Sequence, residues 1–194
     1  MNSTLVRALF LVLGCVCYRL FFALHPEWLP NISPLTALAL VGTIYLPRRW
    51  GWLLAPLVFV VTDLALLATN QRAVGWTFSW LSLAAVAFYV LVGFLGLALA
   101  RHKSLGAIAA GSIVCSLVFY VMANTFAWGG EPAYAPTLAG WWQANTVGLP
   151  GWAPTWTFLR NGLLGDLFFC GVFVAILDRE LLLHPTRQPS RTWA

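Results

Sequence analysis

The chain has 194 residues and a net charge of +5, and its composition is 60% hydrophobic and only 9% charged. A soluble domain carries about 25% charged residues, and the 11 basic and 6 acidic side chains here cannot cover the surface of one. The composition excludes a soluble enzyme, a disordered tail and a nucleic-acid-binding protein. It predicts an all-α integral membrane protein, with one transmembrane domain over residues 1–184 and a short cytoplasmic tail over 185–194.

Six apolar stretches predict six transmembrane helices, because a bilayer core needs about 20 apolar residues per helix. In chain order they cover residues 5–24, 32–46, 52–69, 76–100, 105–128 and 157–181, and the second of them is short. Prolines and clustered charges, both of which end membrane helices, lie between these stretches. The separators include Pro26, Pro30, Pro34 and the segments 47–49, 70–72 and 101–103.

The basic residues predict the orientation of the helices. If the N-terminus lies in the cytoplasm, the outer connections hold only Arg72, and Arg19 and Arg160 fall within spans. The inner connections then hold Arg7, Arg48, Arg49, Arg101, Lys103, Arg179, Arg187 and Arg191. Such a bias towards the cytoplasmic side places both termini inside and predicts a multi-pass protein of the cell inner (plasma) membrane.

Four polar residues inside predicted spans stand out, at mid-depth or in the outer half of the membrane: Asp63, Asn124, Arg160 and Asp166. Charged groups in hydrocarbon are costly and commonly mark functional sites. Arg160 and Asp166 are six residues apart, on nearly opposite faces of one helix, so an intrahelical pair is not expected. We expect Arg160 to pair with Asp63 or with a ligand anion. An ion pair that only joins helices, and an Asp166 that faces a partner on the cytoplasmic side, are the alternatives.

The longest outer connection, residues 129–156, is rich in tryptophan, glycine and proline, and its one charge is Glu131. A loop this apolar should fold back as a lid or lie at the membrane interface. Its residues 136–147 predict a short amphipathic helix. Its tryptophans are typical of an interfacial aromatic belt or of the walls of a small-molecule pocket, and the two can both hold. The candidate wall residues are Trp28, Trp141, Trp142 and Trp152.

No catalytic or metal-binding pattern is visible in the sequence. The four cysteines lie in apolar runs without CxxC spacing, which is typical of small buried residues. The three histidines, His25, His102 and His184, fall in different connections. No Walker, HExxH or GxSxG motif is present, so we expect no enzyme activity, no cofactor and no ATP hydrolysis by this chain.

Several segments resemble a bacterial family of small integral membrane proteins of unknown function. Residues 31–42 (NISPLTALALVG) and 161–169 (NGLLGDLFF) carry the more specific similarity. Weaker matches are Pro56-Leu57, Thr62-Asp63-Leu64, Asn124 with Trp128, and 137–140. The resemblance covers residues 28–178. That family is similar in size and helix count to the substrate-binding (S) components of energy-coupling-factor vitamin transporters, which include solitary cobalamin-type uptake proteins.

This similarity implies a six-helix protein that binds a micronutrient in an outward-facing pocket capped by loops. It further implies a coupling subunit and ATPases as partners, although the Ala-x-x-x-Ala coupling motif is not clear here. The predicted function is therefore uptake of a small vitamin-like molecule, and a structural or assembly subunit of a larger membrane complex is the alternative. The predicted binding residues are Asp63, Asn124, Arg160, Asn161, Asp166 and the four tryptophans Trp28, Trp141, Trp142 and Trp152.

Overall fold

The computed structural model describes residues 3–25, 28, 31–46, 48–69 and 79–183. Helices make up most of this part of the chain, and it contains no strand. We number the helices α1 Ser3–Leu24, α2 Leu35–Tyr45, α3 Arg48–Ala68, α4 Trp80–Leu99, α5 Leu105–Gly130, α6 Leu138–Ala144, α7 Trp156–Leu177 and α8 Arg179–Leu183.

Five of these helices, α1, α3, α4, α5 and α7, are long and apolar enough to cross a membrane. Their bounds lie within a few residues of five predicted spans, with the C-terminal end of the sixth predicted span forming the separate α8. The first residues predicted for the fourth span, 76–78, and the tail at 185–194 lie outside the described residues.

The second predicted span is helical but does not reach across a bilayer. At 1.5 Å per residue, the 11 residues of α2 extend about 16 Å, roughly half of a hydrocarbon core. Every residue from Leu35 to Ile44 is buried, and α2 contacts all five long helices. The uninterrupted apolar run of α2 therefore forms the centre of the bundle.

A π-helical turn at Leu38–Gly42 brings α2 against α4. There a Cβ on Gly96 would lie 2.6 Å from the carbonyl oxygen of Leu40, a distance no side chain tolerates. The missing side chain of Gly96 is thus what allows the backbones of the two helices to touch.

Named contacts give the relative directions of the long helices. Arg19 and Asp63, each near the C-terminal end of its helix, meet, so α1 and α3 run parallel. Arg7 near the start of α1 donates to the carbonyl of Ile176 at the end of α7, so these two helices are antiparallel. The chain between α1 and α3, which includes α2, must therefore return through the bundle.

Candidate functional site

An ion pair between α1 and α3, formed by a partly buried arginine and a buried aspartate, is the first half of the candidate site. The Arg19 guanidinium binds the Asp63 carboxylate, and its Nε donates to Thr62 Oγ1 at 2.7 Å. The guanidinium also lies over the Phe59 ring, 4.7 Å from its centroid. These groups lie on one face of α3. They balance the positive charge of the Arg19 guanidinium and fix its orientation.

Asp166 forms the second half, at the middle of α7. Ser116 of α5 lies 2.6 Å from Asp166 Oδ2, and the Thr36 side chain of α2 lies close to this carboxyl. Asp166 is 7% exposed. Three helices therefore meet at one buried acid.

Both halves lie near Tyr89 of α4. This tyrosine is buried, its ring is tilted by 50° against that of Phe59 at 5.6 Å between ring centroids, and it interacts electrostatically with Arg19, Asp63 and Asp166. We call the set Arg19, Asp63, Tyr89, Ser116 and Asp166 the central polar cluster. It connects α1, α3, α4, α5 and α7.

The two segments that carry the more specific family resemblance pack against each other beside this cluster. Asn31 takes a left-handed backbone conformation (φ 60°), which asparagine tolerates better than most residues. Ile32 then lies against Gly165, where a Cβ would come within 2.9 Å of Ile32 Cγ2. This close approach places the start of α2, with Thr36, beside Asp166.

A groove beside the ion pair opens on the surface of the bundle. Its volume is about 220 Å³, and it lies between α3 and α4. Asp63 and Ser82 provide its polar lining, whereas Val60, Leu64 and Leu83 are exposed on the bundle surface around it. The remaining lining residues are Phe59 and Val86. The groove thus joins an apolar surface to the buried pair.

The structure does not pair Arg160 with Asp63, so this expectation is wrong. Asp63 binds Arg19, while Arg160 is exposed, donates to Asn161 Oδ1 at 3.2 Å and lies over the Trp156 ring. A position one turn from the N-terminal end of α7 leaves Arg160 exposed and Asn161 partly exposed. Of the predicted charged residues, Asp63 and Asp166 come together at the cluster, and Arg160 does not.

Asn124 and the tryptophans lie away from the cluster. Asn124 donates to the Tyr120 carbonyl one turn back on α5, below the outer loop. Trp28, Trp142 and Trp152 are exposed, and Trp28 stacks on His25 at the end of α1. None of them lines the groove.

Part of the 129–156 connection packs against α5, and it contains the short helix α6. Trp141 Nε1 donates to Thr125 Oγ1 at 2.9 Å, and the Tyr120 hydroxyl donates to the Asn145 carbonyl at 2.7 Å. These bonds fasten α6 to the C-terminal end of α5. Leu138 and Trp142, one turn apart on α6, are left exposed.

The sequence predictions missed Arg19, Ser116, Thr36 and Tyr89. The signal for Arg19 was its charge in an apolar run at the same distance from the helix end as Asp63. Hydroxyl residues carry no comparable signal, because serine and threonine are common where membrane helices contact each other. Within the described ranges, no group of three or more His, Cys, Asp or Glu side chains is placed to hold a metal ion.

Comparison with known proteins gives a family but no characterised relative. Residues 1–184 match a family of unknown function, DUF6580. No curated protein and no solved structure matches the chain. The match spans the whole bundle, from α1 to α8, and therefore both halves of the central polar cluster. The chain belongs to the DUF6580 family.

Proposed function

We propose that this protein binds a small organic molecule within the membrane and serves its uptake into the cell. The observation that carries the proposal is the groove of about 220 Å³ that leads from the bundle surface to Asp63 of the central polar cluster. Apolar walls with few polar groups at one end are typical of small-molecule sites. The protein does not act as an enzyme in this proposal.

The proposed topology is six crossings of the bacterial inner membrane with both termini in the cytoplasm. It is supported by the parallel direction of α1 and α3, which requires the chain through α2 to return between them. The excess of basic residues in the connections assigned to the cytoplasm supports the same orientation. In this topology α2 completes its crossing together with the residues that precede it.

The groove sets the size and chemistry of the ligand. Pockets for drug-sized molecules measure about 300–1,000 Å³, so a groove of about 220 Å³ fits a smaller ligand than a corrinoid. Its lining favours a largely apolar molecule with one polar end that reaches Asp63 and Ser82. We propose entry from the side of the bundle, because three of the lining residues are exposed there.

The similarity to S components motivates the proposed partners, a coupling subunit and ATPases, which would supply the energy that a chain without a Walker motif lacks. If the protein were a structural subunit, its intramembrane charges would be expected to pair with a neighbouring chain. Asp63 instead finds its cation, Arg19, within this chain. The groove that opens beside this pair is the observation that supports a binding protein over a scaffold.

A thermal-shift screen of the purified protein against small vitamin-like compounds tests the proposal. A ligand at a hundredfold excess over its Kd should stabilise the protein by about 2.7 kcal/mol. Leu83→Trp fills the groove and should abolish that shift, whereas Leu91→Trp, at an exposed position outside it on the same helix, should retain it. If no compound stabilises the protein, or if both variants bind equally well, the proposed site is wrong.

A further inference from the structure

Asp166 is a buried acid for which the structure provides no compensating charge. The described part of the chain holds one salt bridge in the bundle, and it neutralises Asp63, not Asp166. The groups around Asp166 are Ser116 and Cys115 of α5, Thr36 of α2, Cys170 of α7 and Tyr89 of α4. All of them are neutral in their ordinary protonated forms, and Arg19 is bound to Asp63.

The two contacts of Ser116 require one more hydrogen than its hydroxyl supplies. Its Oγ lies 2.6 Å from Asp166 Oδ2 and 3.0 Å from the carbonyl oxygen of Ser112. A serine hydroxyl has a single hydrogen and cannot donate to two acceptors at once. The contacts are both satisfied if the carboxyl carries a proton that it donates to Ser116, which in turn donates to Ser112.

We propose that Asp166 is a proton-binding site inside the bundle and that it holds its proton at neutral pH. Binding converts the carboxylate to a carboxylic acid, with the new O–H directed at Ser116 Oγ. The Ser116 hydrogen turns from the carboxyl to the Ser112 carbonyl. Release of the proton reverses both changes: Ser116 then donates to the carboxylate, and the Ser112 carbonyl loses the hydroxyl as a donor.

The distance between the oxygens favours a proton over a metal cation. An O···O separation of 2.6 Å is that of an O–H···O hydrogen bond. Two oxygens that share a cation at about 2.3–2.6 Å each lie farther apart than this. The proposal extends beyond uptake, because a proton can occupy the site whether or not the groove takes a ligand.

The protonation of Asp166 can be followed by NMR with ¹³C-carboxyl-labelled aspartate. The spectrum is simple because the chain has three aspartates, Asp63, Asp166 and Asp178. The three ¹³C carboxyl signals of the ligand-free protein in lipid nanodiscs are assigned with Asp166→Asn, or by elimination with Asp63→Asn and Asp178→Asn. At neutral pH the Asp166 carbon should resonate as a protonated acid and Asp63 as a carboxylate. Raising the pH should move the Asp166 signal to the carboxylate position.

Two variants complete the test. Ser116→Ala removes the acceptor of the proposed O–H and should shift the Asp166 signal, while Ser104→Ala, at the start of α5, should leave it in place. A carboxylate signal for Asp166 at neutral pH would overturn the proposal. So would a signal that moves with added Na⁺ at constant pH, because a metal cation would then be the occupant.

Discussion

Arg19 and Asp63 lie five residues from the C-terminal ends of α1 and α3, and their ion pair joins the two helices at matching depth. α1 is the most exposed of the five long helices, so this pair is a main attachment of α1 to the bundle. Asp63 also lines the groove, which makes the pair both a structural link and part of the candidate binding site.

A double-mutant cycle measures the contribution of this pair to stability. Arg19→Met and Asp63→Leu should each lower the free energy of unfolding by about 3 kcal/mol, because each leaves one buried charge without its partner. The double variant should recover much of the loss, since neither charge remains. Arg160→Met, which removes an exposed guanidinium, should change stability by less than about 0.5 kcal/mol. Additive losses in the double variant would show that the two side chains do not stabilise each other.

The sequence predicted five long helices and the short second one well, because apolar length and proline or charge breaks directly reflect what a bilayer requires. It could not place α2 at the centre of the bundle. A short apolar run has the same composition whether it faces lipid or other helices. The close packing of α2 depends on glycines of neighbouring helices, such as Gly96.

The sequence predicted the two acids of the candidate site but not the residues that contact them. Asp63 and Asp166 stand out by their charge in apolar runs, but their partners depend on depth and rotation of separate helices. Arg160 was expected to reach Asp63 because both are charged, yet its position near the N-terminal end of α7 lets its side chain extend to the surface. Long basic side chains near helix ends commonly do so.

The contact of Ile32 with Gly165 should be sensitive to a single methyl group. Gly165→Ala places a Cβ 2.9 Å from Ile32 Cγ2 and should destabilise the protein by about 1–3 kcal/mol, as overpacking does. Gly171→Ala lies on the same helix with open space around it and should be neutral or slightly stabilising. Thermal unfolding in detergent compares the two. Equal melting temperatures would mean that the 31–34 segment does not pack there.

The outer loop provides a matched pair of neighbouring tryptophans. Trp141→Phe removes the indole N–H that bonds Thr125 and should loosen α6 from α5, whereas Trp142→Phe changes only an exposed ring. The loss of one hydrogen bond costs about 1 kcal/mol. Hydrogen exchange over residues 131–155 should therefore accelerate several-fold in Trp141→Phe alone. Similar exchange in both variants would contradict the attachment described here.

The proposed orientation can be checked with single cysteines in a variant whose four native cysteines are replaced by alanine. Ala153→Cys lies in the exposed outer loop, and His102→Cys lies in the exposed connection between α4 and α5. An impermeant thiol reagent added to intact spheroplasts should label Ala153→Cys, while His102→Cys should react only after the membrane is opened. The reason is that Arg101 and Lys103 flank position 102, and such basic clusters remain in the cytoplasm during insertion. Labelling of His102→Cys from outside would invert the topology and place the tryptophan-rich loop in the cytoplasm.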